Sequence, residues 1–93
     1  MEWKIPVNYK GRRYWLKAVL EYQSNQVLRI RVQGRKSSVL LENNYPLLKK
    51  TNAKKGIQWK IREGSFGHTD QDTAKLLIDI FSALEEYIKM DLK

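Results

Sequence analysis

An apolar–polar alternation of period two recurs across the first 42 residues, cut at short intervals by turn residues, and constrains this chain more than any other feature. Trp3, Ile5, Val7 and Tyr9 alternate with Lys4, Pro6, Asn8 and Lys10. Successive side chains of a strand point to opposite faces, so the pattern describes a strand with one face buried. A second strand, from about Arg13 to Tyr22, puts Tyr14, Leu16, Ala18, Leu20 and Tyr22 on one face. A third turns Leu28, Ile30 and Val32 inward and Val27, Arg29, Arg31 and Gln33 outward, and a fourth covers about Lys36 to Glu42. Pro6 cannot donate to a ladder, which assigns the first strand to a sheet edge.

Turn chemistry tests these faces, because a one-residue slip in register would exchange them. A two-residue turn at Lys10-Gly11 pairs Tyr9 with Arg12, Val7 with Tyr14 and Ile5 with Leu16, so the apolar faces agree. A three-residue loop at Ser24–Gln26 pairs Tyr22 with Leu28, Leu20 with Ile30 and Ala18 with Val32. A type II′ turn at Gly34-Arg35 pairs Ile30 with Val39 and Leu28 with Leu41. Three consecutive hairpins sharing one apolar face predict an antiparallel meander.

A short fifth strand follows at Ile57–Arg62, with Ile57, Trp59 and Ile61 inward. The connection before it carries Leu47-Leu48, suited to a helical turn, and Lys49, Lys50, Lys54 and Lys55, read as a flexible basic loop. A helix is expected from about Asp70 to Met90, capped by Thr69, with Asp72 at the capping-box position. Its central stripe is expected to be Leu77, Phe81, Leu84 and Ile88, flanked by Ala74, Ile80 and Tyr87, with Glu85 and Lys89 as an i,i+4 pair. A meander covered on one face by one amphipathic helix is a two-layer α+β domain spanning residues 1–93.

Composition allows such a core. Leu, Ile, Val and Phe make up 25 of 93 residues, about 27%, above the level at which charged chains stay disordered. The absence of Cys excludes a disulfide scaffold, a thiolate metal site and a thiol nucleophile, and the single His excludes a multi-His metal site. No stretch approaches the length of a membrane span, and Glu2 and Lys4 interrupt any signal-peptide pattern, so a cytoplasmic protein without a membrane partner is expected. The net charge of +8 is uneven: residues 1–62 carry +12 and residues 63–93 carry −4.

The strand registers place most of that positive charge on the sheet face away from the helix. Lys4, Arg13, Trp15, Lys17, Arg29, Arg31, Lys60 and Arg62 fall there, with Glu21 opposite Arg29 and Lys4 opposite Lys17. Cations that follow phosphates, with an aromatic ring on which a base stacks, are what single-stranded nucleic acid binding uses. Lys49 and Lys50 are expected to extend this surface from the loop. The order of four strands and a helix, with the basic charge, resembles the Pur-alpha repeats and the Whirly proteins. That resemblance implies a single-strand-binding fold and carries over no individual residue. The alternative class is a homo- or hetero-interaction or assembly module with no nucleic-acid partner, in which the acidic outer side of the helix meets the basic sheet face of another molecule or strand edges pair; the plainest reading leaves the basic face merely solvated.

Other chemistry is poorly supplied. Gly64-Ser65-Phe66-Gly67 precedes the helix but lacks the Lys-Ser/Thr of a phosphate-binding loop. His68, Asp70 and Asp72 read as a helix start more readily than as a metal site. No Ser/His/Asp arrangement or pair of facing carboxylates is present in the pattern, so the chain is read as a binding protein without cofactor, metal or catalytic activity.

Overall fold

The computed structural model describes residues 1–34, 37–52, 55–64 and 71–92, with side chains of the last segment from residue 74 onward. Thr69, Asp70, His68 and Phe66, the side chain of Asp72, and the loop lysine Lys54 lie outside the described residues. Five strands, β1 (Glu2–Tyr9), β2 (Arg12–Gln23), β3 (Leu28–Gln33), β4 (Ser38–Asn43) and β5 (Trp59–Gly64), form one antiparallel sheet in sequence order. A short helix α1 (Tyr45–Thr51) joins β4 to β5, and a long helix α2 (Gln71–Asp91) follows. Among the described residues no helix is long and apolar enough to cross a membrane.

The first hairpin has the expected register, with Val7 opposite Tyr14, Ile5 opposite Leu16 and Lys4 opposite Lys17. Lys10 and Gly11 both have positive φ (50° and 75°), the signature of a type I′ turn that matches strand twist. The second hairpin departs from expectation near its loop. Leu20 meets Ile30, but Tyr22 meets Arg29 and Gln23 meets Leu28, with a bulge between Leu20 and Tyr22. The Ser24 hydroxyl accepts the N–H groups of Gln26 and Val27, both at 3.1 Å, and builds a four-residue loop. The bulge absorbs the extra residue and moves Tyr22 to the opposite face.

The third hairpin also differs. Gly34 N–H donates to the Ser37 carbonyl at 2.8 Å, closing a four-residue loop in place of the two-residue turn. Ile30 then meets Leu41 and Val32 meets Val39, a slip of two residues that keeps every inward side chain inward. This register sets Arg29 against Glu42, an opposite-charge pair that the expected one lacked. Strand β4 accordingly begins at Ser38, and β5 runs two residues later than expected, from Trp59.

The buried core joins Trp3, Ile5 and Val7 of β1, Ala18 of β2, Leu28, Ile30 and Val32 of β3, and Val39 and Leu41 of β4. Helix α2 seals it with Leu76, Ile80, Leu84 and Ile88, an i,i+4 row that keeps Leu84 and Ile88 of the expected stripe and puts Leu76 and Ile80 in place of Leu77 and Phe81. Leu77 and Phe81 are flanking and half-buried, and Ala74 is exposed. The displacement follows from Phe81, whose ring stacks on Trp59 of edge strand β5, with centroids 4.9 Å apart. Two indole N–H groups fasten α2 to the sheet. Trp3 Nε1 donates to Asp91 Oδ2 at 2.6 Å and Trp59 Nε1 donates to Glu85 Oε1 at 3.0 Å. A buried indole must spend its N–H on an acceptor, and these carboxylates provide one. Glu85, expected to pair with Lys89, is thus engaged by the sheet.

Candidate nucleic-acid interface

With α2 on one side, the other sheet face is open. It carries Lys4 from β1, Arg13, Trp15 and Lys17 from β2, Arg29 and Arg31 from β3, and Lys60 and Arg62 from β5. Lys49 and Lys50 lie outside the sheet strands. They occupy the last turn of α1, and Lys49 Nζ donates to the Leu92 carbonyl at 3.0 Å, at the C-terminal end of α2. A cation there meets the negative end of the helix dipole, a structural use of that charge.

The open-face cations are not alike. At its centre Glu42, only 6% exposed, gathers three of them. Arg29 Nε lies 2.9 Å from Glu42 Oε1, Lys60 Nζ 3.1 Å from Oε2 and Arg62 Nε 3.9 Å from Oε1. The hydrogen bond from Arg29 holds the Glu42 carboxyl below its ordinary range against the opposing effect of burial, with Lys60 and Arg62 adding to it. Arg31 is held by two carboxylates, Nε to Glu21 Oε2 at 2.9 Å and a terminal nitrogen, Nη2, to Glu63 Oε2 at 3.1 Å. Glu21 was expected opposite Arg29. The bulge in β2 gives it to Arg31 instead. Lys17 Nζ lies 3.6 Å from Glu2 Oε1, which offsets the repulsion expected between Lys17 and Lys4.

Seven cations and four carboxylates leave this face at +3, and the excess is uneven. The Arg31 group is slightly negative and the Glu42 group positive. Among the described residues, Lys4 and Arg13 make no ion pair. Both lie in the β1–β2 hairpin, whose turn adds Lys10 and Arg12. In the same hairpin Trp15 is 63% exposed, with the Arg13 guanidinium carbon 5.8 Å from its ring centroid.

Tyr22 is a second exposed aromatic on this face, 47% accessible, and sequence reasoning had placed it inside. Seven residues along β2 separate it from Trp15, roughly 20 Å at the rise of a strand. The signal that identifies it is the four-residue loop set by the Ser24 hydroxyl, which periodicity alone does not reveal. Glu42 was missed as a hub for a related reason. A comparison of candidate registers by cross-strand charge pairing would have found it opposite Arg29.

Comparison with known proteins yields no relative: no family model, no curated protein and no solved structure matches the chain.

Proposed function

We propose that the chain binds single-stranded DNA or RNA on its open sheet face, entered from the β1–β2 hairpin. The observation that carries this reading is Trp15, a largely exposed indole beside Arg13 and close to Lys4, in the region where positive charge is least neutralised. A base stacked on such a ring contributes about 1–3 kcal/mol, and the neighbouring cations hold phosphates in a salt-dependent way. Tyr22 offers a second platform farther along β2, with Arg29 over one side of its ring. The reading assigns no catalytic role to any residue and carries with it a cytoplasmic setting.

Titration of Trp fluorescence with oligothymidylate and oligouridylate at low and high salt tests the proposal. Quenching that disappears in Trp15→Ala, with affinity falling steeply as salt rises, is the expected result. Absence of binding at low salt overturns it. Light scattering on the same samples reads the alternative, an assembly module, as a mass above that of one 11.0 kDa chain with oligonucleotide affinity absent.

A further inference from the structure

Strand β2 has twelve residues and β3 only six, which pair with Lys17–Gln23, so the first five residues of β2 run past their neighbour. Which backbone groups this leaves open follows from one hydrogen bond. Leu20 N–H donates to the Met1 carbonyl at 3.0 Å, on the β1 side. Backbone polar groups alternate sides along an antiparallel strand, so Ala18, Leu16, Tyr14 and Arg12 also face β1, while Val19, Lys17, Trp15 and Arg13 face the other way. Val19 and Lys17 meet Arg31 and Gln33, where β3 ends. The N–H and C=O groups of Trp15 and Arg13 therefore have no strand partner among the described residues. The outer edge of β1 is treated differently. The same parity points the Pro6 nitrogen outward, where its missing donor weakens any added strand.

We propose that an extended acidic peptide adds to the sheet as a further antiparallel strand along this free edge of β2, pairing with the backbone of Arg13 and Trp15. The side chains flanking the edge define the occupant. On the open face it is bordered by Arg13 and Lys17, and on the helix face by Tyr14 and Leu16. Beneath it lies a cleft of about 920 Å³ whose apolar lining includes Val7, Leu16 and Leu76, and whose charged lining among the described residues is entirely cationic. An added strand presents alternate side chains to the two faces, so acidic residues reach Arg13 and Lys17 while the intervening aliphatic ones enter the cleft. A second copy of this chain fits worse, because pairing the two edges would bring two stretches carrying Arg12, Arg13 and Lys17 side by side. This inference does not rest on the nucleic-acid reading, since it is argued from the backbone edge and the helix-side cleft, although it shares Arg13 and Lys17 with the open face.

The test uses the whole chain and a blocked peptide, acetyl-Glu-Val-Glu-Ile-Glu-Val-Glu-amide. In the free protein, amide exchange at Arg13 and Trp15 is expected to be much faster than at Tyr14 and Leu16. Saturating peptide should slow exchange at Trp15 by at least about tenfold and shift both resonances. Two versions N-methylated at alternate backbone nitrogens keep every side chain and charge, and one of them should bind at least about tenfold more weakly because it lacks the donors facing β2. Protection of Trp15 already present in the free protein overturns the proposal. Equal binding of all three peptides does so too, since it shows contact through charge alone. Protection of Arg13 and Trp15 by oligothymidylate but not by peptide assigns the edge to nucleic acid and also overturns it. Arg13→Pro removes an outward N–H without touching the ladder to β1, and should abolish peptide-induced protection at Trp15. The methylated peptides decide the matter without any change to the protein.

Discussion

Arg29 lies over the ring of Tyr22, its guanidinium carbon 4.9 Å from the ring centroid, while its Nε donates to Glu42. The ring contact depends on the bulge in β2, which moves Tyr22 out of the face that Leu20 shares with Ile30, and the Glu42 contact depends on the register of the third hairpin. One added loop residue thus converts an expected core tyrosine into a surface ring capped by a cation. The stacked arginine keeps that ring upright on the sheet and leaves its other side open to solvent or a base.

The displaced helix stripe gives the most direct test of the fold. Leu84 is fully buried and Leu77 only half-buried. Leu84→Ala should cost about 2–5 kcal/mol, and Leu77→Ala about 1 kcal/mol. Urea unfolding of the two variants measures the difference. Equal costs would put Leu77 in the stripe beside Leu84, where the sequence alone puts it.

The sheet was legible because alternation of period two is local and each hairpin checks the next. Its faces survive a two-residue slip, which is why the third hairpin was assigned correctly inward and outward while every pair within it was displaced. Loop length was not legible. It is set by hydrogen bonds such as those from the Gln26 and Val27 amides to the Ser24 hydroxyl, and periodicity carries no record of them. The open face could be populated from the sequence but not its charge balance. Whether Arg31 is free or doubly held depends on which carboxylates the registers bring beside it. The helix stripe was right at Leu84 and Ile88 and off by one residue in its first half, because an aromatic contact with β5, invisible from within the helix, turns Phe81 to the side.

Two glycines should respond oppositely to alanine. Gly64 has φ +79°, and a Cβ there would collide with the Ser38 carbonyl oxygen and crowd the Val39 Cα at 3.3 Å, both rigid backbone of the facing strand. Gly64→Ala should cost about 2 kcal/mol or more. Gly56 has nothing within 4 Å of the equivalent position and no positive φ, so Gly56→Ala should stabilise by up to about 0.5 kcal/mol through the unfolded state. Thermal melts of both variants measure this, and similar shifts for the two would contradict the geometry of the β4–β5 ladder.

Glu42 makes stability depend on acid. Its carboxyl is held below the ordinary range in the folded chain by Arg29 first and by Lys60 and Arg62 after it. A depressed folded value means the stabilisation is fully present above the unfolded value, near about pH 4.3, and is lost as pH falls through the folded value. Glu42→Gln should therefore lower Tm at neutral pH by a few degrees, corresponding to about 1 kcal/mol given the exposure of the partner cations. Its acid limb should be shallower, and the two curves should converge once the folded carboxyl is protonated. A constant gap between them at all pH values would show that shape and not charge sets the role of Glu42.

The charge balance of the open face gives the last prediction, which separates cations available to phosphate from those already occupied. Lys4 and Arg13 make no ion pair among the described residues, so Lys4→Ala or Arg13→Ala should weaken oligothymidylate binding and flatten the salt slope by roughly one unit each. Arg31 is compensated twice over, by Glu21 and Glu63. Arg31→Ala removes no available cation, but it uncovers two carboxylates, so it should weaken binding at low salt through repulsion that disappears as salt screens it. Glu63→Gln works in the other direction. It releases one side of Arg31 and removes a negative charge, and should raise affinity about threefold at low salt with no gain at high salt. Affinities of the four variants at two ionic strengths measure all of this. An unchanged affinity in Glu63→Gln beside a loss in Lys4→Ala would confine the bound strand to the β1–β2 hairpin, because a strand crossing β3 passes the Arg31 group and must register its charge.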